Sequence, residues 1–398
     1  MKSCIIVIDH SFRINSKIFN EAIKNYDKIA VIYASNWYFN KKFKNYYKNK
    51  DKTLFRKSIN YFAYSLKKKY NANLFYLRSS NPAKEIEDFC LNNNISEILY
   101  DYPLFSDGIQ FSGKIKVTFI DNDMYIDSCT KMTAKSRLNY WVHNKLSKDD
   151  LGYVNAKPEF IDSVGKIFDI DSNMAIELHE KIKSSLDNAK TNIETYHKSR
   201  NERNGSTKLS SLLHHGLIDA KSLVHVLLSN VNKSNMKNNK YIPLLRQFAF
   251  REISILKCRA KEISILDPVK DIALKLLDDA SYKNLTNNEF EQTFSNEQFL
   301  SGNTGIKKID EEIKFCIQNR WLPNRLRMWL AGECYWGLGG GIGSLETLIE
   351  FFDKHTDDGQ SPNNIISCVE SMRLKYGKVM KFNEERTFRL LEGKEHIK

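Results

Sequence analysis

The chain has 398 residues, with 61 Lys and Arg against 48 Asp and Glu and a formal charge of +13 at pH 7. At about 150 residues per domain this length predicts two domains. A composition of 41% hydrophobic and 12% aromatic residues, with only 17 Gly and 7 Pro, excludes a disordered or fibrous chain. No stretch approaches the roughly eighteen apolar residues of a membrane span, and the apolar run after Met1-Lys2-Ser3 is too short for a signal-peptide core, so a cytoplasmic protein without a membrane partner is expected. The seven cysteines (Cys4, Cys90, Cys129, Cys258, Cys316, Cys334 and Cys368) are scattered and form no C-x-x-C pair, which reads as buried reduced thiols and gives no metal site. The positive balance permits a nucleic-acid partner. Clusters such as Lys41-Lys42 and Lys67-Lys68-Lys69 have the plainer reading of solvated surface.

Short apolar runs at 4–8, 29–33, 74–77, 98–100 and 117–120 are strand-like, and between them Phe55, Ile59, Phe62 and Leu66 recur at helical spacing. Asn81-Pro82 offers an N-cap and a first-turn proline to a helix carrying Ile86, Phe89 and Cys90. Strand–helix alternation predicts a parallel sheet covered on both faces. No G-x-G-x-x-G follows the first strand, so an NAD-binding reading has no support. From about residue 121 to 169 the pattern loses regularity, with polar pieces at 148–153 and at Ala156-Lys157-Pro158, and reads as a linker. Beyond it helical periods dominate: Ile309, Ile313, Cys316 and Ile317 form one apolar stripe, and Leu322, Leu326, Trp329 and Leu330 form the next, restarted at Pro323. The expected architecture is an α/β domain over 1–125, an interdomain linker over 126–169 and a larger all-helical domain over 170–398.

Four segments of the helical part concentrate unusual residues. Tyr196-His197-Lys198-Ser199-Arg200-Asn201 leads through Gly205 into Ser206-Thr207-Lys208-Leu209-Ser210, hydroxyls at a helix start that suit an anion or an ordinary N-cap. Gln247 and Arg251 stand four apart on one helix face beside Phe248 and Phe250, as a pocket lining or a surface pair. Gly302-Asn303-Thr304-Gly305 and Ile309-Asp310 precede Trp321-Leu322-Pro323-Asn324-Arg325-Leu326-Arg327-Met328, in which one arginine can face solvent and the other an interior carboxylate. Asp357-Asp358-Gly359-Gln360-Ser361-Pro362-Asn363-Asn364 is a polar turn.

In this order, after an α/β domain, the segments resemble the photolyase/cryptochrome family along nearly the whole chain. Ser206-Thr207-x-Leu209-Ser210 followed by Leu212–His215 and Gly216 is similar to T-S-x-L-S-x-x-L-x-x-G, and Phe250-Arg251-Glu252 to W-R-E. Gly302-x-Thr304-Gly305 through Asp310 parallels G-x-T-G-x-P-x-V/I-D, and Trp321 through Met328 parallels G-W-x-H-N-R-x-R-M. The resemblance implies a Rossmann-like antenna domain and a helical domain holding a U-shaped FAD. Tyr196, Ser206, Thr207, Leu209 and Ser210 are then expected to hold its phosphates, and Arg251 and Asn324 to lie by the flavin. Arg327 is expected to pair with Asp357, next to Gly359 in the same cofactor-binding turn. Asn363 is expected to face flavin N5, where a neutral amide favours reduced forms of the ring.

Departures from the family pattern are as informative. Gln247 stands where pyrimidine-dimer photolyases have a Glu that bonds the damaged bases, Phe250 replaces a stacking Trp, and Val369 replaces another. The electron-relay Trp positions fall at Ser367 and Ile342, and Pro323 replaces the His before N-R. Loss of stacking surfaces matters most, since base–aromatic stacking contributes about 1–3 kcal/mol per base. Trp321, Trp329, Trp336 and Tyr335 form another conceivable electron path, with core packing as the plainer reading, and Gly339-Gly340-Gly341 reads as a turn. The expected function is that of a DNA photolyase, a carbon–carbon lyase in which reduced FAD drives repair of pyrimidine photoproducts. Asn324, Asn363 and Gln247 are its candidate catalytic residues, and Arg325 is its candidate DNA contact. The alternative is a non-repair, cryptochrome-like flavoprotein that senses light or redox state or binds a partner. A monomer is expected, and the resemblance leaves open which antenna chromophore, if any, the α/β domain takes.

Overall fold

Five consecutive apolar residues, Cys4, Ile5, Ile6, Val7 and Ile8, are each at most 1% exposed and make the central strand β1 (Ser3–Ile8). A strand covered on both faces needs apolar side chains on both, which is why the run does not alternate. In this computed structural model the described residues are 2–8, 10–35, 53–79, 81–104, 108–122, 133–146, 159–161, 166–200, 202, 205–264, 267–287, 291–359, 361–372, 374–375 and 378–379. Their contacts divide the chain into two units: Met1–Asp187 with Leu209–Lys237, and Asn188–Lys208 with Asn238–Lys398.

In the first unit β1 is followed by α1 (Lys17–Asn25), β2 (Lys28–Ser35), α2 (Thr53–Tyr70), β3 (Phe75–Arg78), α3 (Pro82–Asn92), β4 (Glu97–Asp101), β5 (Lys116–Ile120), α4 (Ala134–His143), β6 (Glu159–Phe160) and β7 (Lys166–Ile167). The strand order is β5-β4-β1-β2-β3-β7, with β6 beside the start of β2. Among the described residues every pairing in this sheet is parallel except β3 with β7, and the register sets Ile5 beside both Ala30 and Ile98. All five strand-like runs are therefore strands. The helical stripe on α2 is also real, with Phe62 and Leu66 fully buried. Asn81 caps α3, its side-chain oxygen accepting from Lys84 N at 3.2 Å. The stretch expected as linker contributes α4 and two short strands of the sheet, β7 at the edge beside β3 and β6 beside the start of β2. Cys129 and the polar pieces at 148–153 and 156–158 lie outside the described residues, as do Lys41 and Lys42.

Strand order reverses at β1, so the ends of β1 and β4 flank the crevice where open α/β sheets commonly take ligands. Here the chain's own groups meet. Asp101 accepts from the main-chain N–H of His10 at 3.1 Å and of Ser11 at 2.8 Å, and from Asn122 Nδ2 at 2.6 Å. The buried Arg13 guanidinium donates to Asn122 O at 3.0 Å and to Gly216 O at 3.1 Å.

Helix α5 (Ser172–Ser199) contains the division between the units, and α6 (Ser210–His214) and α7 (Ala220–Ser229) belong to the first. Among the described residues the second unit is otherwise made of α8 (Ile242–Ala260), α9 (Val269–Leu276), α10 (Asp279–Asn287), α11 (Asn296–Ser301), α12 (Lys307–Asn319), α13 (Asn324–Gly337), α14 (Gly341–His355) and α15 (Pro362–Met372), with a hairpin of β8 (Leu374–Lys375) and β9 (Lys378–Val379). Helix α15 packs against α8, α13 and α14. Leu322, Leu326, Trp329 and Leu330 are buried as their spacing predicts, and α12 buries Ile309, Ile313 and Cys316. Gly339, Gly340 and Gly341 all take positive φ, between +75° and +89°, and make the turn from α13 into α14 that only glycine adopts without strain. Thr304 N and Oγ1 each donate to Asp310 at 2.7 Å and Gly305 N donates at 3.2 Å, so the conspicuous Gly302–Asp310 motif works as a brace at the start of α12.

Among the described residues no helix is long and apolar enough to cross a membrane, and no group of three or more His, Cys, Asp or Glu is arranged to hold a metal ion. Cys4, Cys90, Cys258, Cys316, Cys334 and Cys368 are free and buried.

Candidate functional site

The candidate site is built where α15 crosses α8 and α13. On α15, residues three and four apart share a face, and Asn363, Ser367 and Glu370 are half-buried while Ile365, Ile366, Cys368 and Val369 are buried. The facing side of α8 carries Phe250, Arg251, Ser254 and Lys257 at the matching period. Ser254 Oγ lies 3.5 Å from Asn363 Oδ1, and Lys257 Nζ donates to Glu370 Oε1 at 2.7 Å. A polar seam thus runs between the two helices.

Arg327 on α13 forms a buried knot with the start of α15. Its Nε donates to Leu322 O at 3.0 Å, Nη1 to Asn364 Oδ1 at 3.0 Å and Nη2 to Asp358 Oδ1 at 2.8 Å. Burial works against the charge, but the Asp358 carboxylate outweighs it and keeps the guanidinium pKa above its ordinary value. The expected partner was Asp357, and the structure corrects it by one residue. Asp357 instead accepts from Arg320 Nε at 2.7 Å, because the turn sends adjacent carboxylates to opposite sides. Asn364 Nδ2 donates to Gly359 O at 2.9 Å. A Cβ on Gly359 would come within 2.2 Å of Phe352 O, so this glycine lets the turn pass tightly beneath the end of α14.

Of the residues expected at the phosphates, Tyr196 is buried on α5, and burial raises its phenol pKa. Ser206 and Thr207 are half-buried in the loop that follows, anchored by Asn192 Nδ2 donating to Ser206 O at 2.8 Å. Lys208 turns this loop through a left-handed backbone, φ 53°, and places its ammonium 4.9 Å from the centre of the Trp321 ring. The contact division falls inside the motif: Leu209, buried, and Ser210, the exposed first residue of α6, belong to the first unit. Arg251 is half-buried on α8, Gln247 is exposed about two turns before Ser254, and Asn324 is exposed at the start of α13, its Nδ2 3.7 Å from Met328 Sδ. The Arg325 side chain and Gln360 lie outside the described residues. Trp329 and Tyr335 are core residues, at most 1% exposed, while Trp321 and Trp336 are half-buried.

Asn363, Arg327 and Arg251 are thus carried by three elements, with α15 packed against both α13 and α8. Ser254, Asp358 and Asn364 join them as residues that the sequence reading passed over. Ser254 sits seven residues after Gln247 on the α8 face, a spacing from which it could have been found; Asp358 and Asn364 hid as the second members of Asp-Asp and Asn-Asn doublets.

Neither a protein-family model nor a curated protein matches the sequence. Among solved structures, the crystal structure of a bacterial class III photolyase from Agrobacterium tumefaciens is similar, with a TM-score of 0.65 at 13% identity over 99% of this chain and 85% of that one. At this identity the likeness is one of fold.

Proposed function

We propose that the helical unit holds FAD beside α8, α13 and α15, and that the protein is a light-driven flavoprotein repairing pyrimidine photoproducts in DNA. The observation that carries the reading is the Asn363 amide, half-buried on α15 within a photolyase fold, one end of which has no hydrogen-bond partner among the described residues. The donor set suits the cofactor. Hydroxyls at Ser206 and Thr207 with the Lys208 ammonium match a pyrophosphate, and an amide at 363 can meet a ring nitrogen. The α/β unit fits an antenna chromophore less well, because Arg13, Asp101 and Asn122 already use the crevice of its sheet.

FAD, when bound, supplies absorption of visible light and the electron that opens the photoproduct. The chain's residues do the rest. Tyr196, Ser206 and Thr207 bind the phosphates, and Arg251 lines the flavin. The Arg327–Asp358–Asn364 knot fixes α13 against α15 and so keeps Asn363 in place. Gln247 and Asn324, both exposed, are available to a flipped base, and the net charge of +13 draws the DNA backbone.

A second reading, a flavoprotein that does not repair DNA, is favoured by one observation. Val369 is fully buried and Ser367 stands one turn after Asn363, so this stretch of α15 offers a base no aromatic face. The deciding experiment illuminates the FAD-loaded, reduced protein with blue light in the presence of an oligonucleotide carrying a pyrimidine dimer. Light-dependent restoration supports repair. A photoactive flavin without restoration supports the second reading, and folded protein that takes up no FAD contradicts both.

A further inference from the structure

Asn363 and Asn364 are neighbours with opposite surroundings. Asn364 is buried and fully engaged: Oδ1 accepts from Arg327, Nδ2 donates to Gly359 O, and its main-chain N–H lies 3.2 Å from Ser361 Oγ. The Asn363 side chain has one hydrogen-bond partner among the described residues, Ser254 Oγ on α8. Ser254 is fully buried and has a single proton to give. Phe250 O, one turn earlier and 2.9 Å away, is a much better acceptor for it than an oxygen at 3.5 Å. Ser254 Oγ therefore faces Asn363 with lone pairs only. The two ends of a carboxamide have the same shape, so the partner decides which end faces it, and here an N–H must turn towards the serine.

We propose that Ser254 is a positioning residue: it fixes the Asn363 amide with its N–H towards α8 and its carbonyl oxygen towards the ligand, so that the site presents an acceptor and prefers a ligand group bearing an N–H. The inference rests on the reading of the site as a flavin site. There the group is N5, which carries a hydrogen in the two-electron-reduced ring and is a bare acceptor in the oxidised ring. The oriented amide favours the reduced cofactor. Without the serine hydroxyl the amide is free to turn and donate to unprotonated N5, which favours the oxidised one.

The test uses full-length protein loaded with FAD. The FAD-to-protein ratio is read first from absorbance, and the midpoint potential is then read by spectroelectrochemical titration. Ser254→Ala is expected to load FAD as the unaltered protein does and to lower the ratio of reduced to oxidised flavin at a fixed potential by up to about tenfold, equivalent to about 30 mV for a two-electron couple. Asn363→Ala is expected to lower it comparably, the double variant no further, and Ser254→Thr, which retains the hydroxyl, to leave it unchanged. A fully loaded Ser254→Ala protein with an unchanged potential overturns the proposal, whether or not Asn363→Ala shifts it. So do additive shifts in the double variant, or a Thr variant that behaves like Ala. Unaltered protein that takes up no FAD overturns the flavin reading itself, and this inference with it.

Discussion

Asp357 and Asp358 are adjacent carboxylates whose removal is expected to have unequal effects. Asp358 pairs with Arg327 in the interior, where the two side chains are 8% and 10% exposed. Removing one partner of such a pair leaves an uncompensated buried charge and costs about 3–5 kcal/mol. Asp357 pairs with Arg320 at 17% and 29% exposure, where solvent screens the attraction and the loss is expected to be about 1 kcal/mol or less. Urea titrations of Asp358→Ala and Asp357→Ala proteins measure this contrast, and equal losses would place the knot wrongly. The sequence left open which of Arg325 and Arg327 reaches an interior carboxylate, and the resemblance pointed to Asp357; the actual partner, Asp358, is selected by a turn that Gly359 tightens against α14. The same turn hides the division of labour between Asn363 and Asn364.

At the scale of elements, legibility followed length and period. The strand at 4–8 and the α2 stripe of Ile59, Phe62 and Leu66 announce themselves because burial demands a run or a repeat. Strands β6 and β7 have two residues each and carry no pattern; they exist because β2 and β3 offer them backbone partners. Helical spacing likewise put Gln247 and Arg251 on one face of α8, but it did not show that a polar face of α15 meets that helix, which is a fact of packing. Two substitutions test local explanations. Asn81→Ala removes the oxygen that caps α3 and is expected to cost about 1 kcal/mol. Gly340→Ala forces a side chain onto a backbone at φ 81° and ψ −170° and is expected to cost about 1–3 kcal/mol. Thermal or urea unfolding reads both, and a neutral Gly340→Ala would remove the turn explanation of the glycine run.

At the scale of the whole molecule, burial of the cysteines links stability to pH. Burial pushes Cys90, Cys258, Cys316 and Cys368 up to about 12, so the folded chain keeps protons that unfolded thiols release near about pH 8.5. A raised folded pKa gives stability that is complete below the unfolded value and is lost as pH rises towards the folded one. The urea midpoint is therefore expected to fall from about pH 9 upwards, each thiol adding about 1.4 kcal/mol per pH unit to the slope. Cys368→Ala is expected to make that fall shallower, and an unchanged slope would contradict the assignment. The central claim, that the helical unit encloses FAD, is tested most directly by the absorption spectrum of the purified full-length protein after incubation with FAD and removal of the excess. Flavin bands retained at one FAD per chain are the expected result. Folded protein that emerges without them would contradict the account.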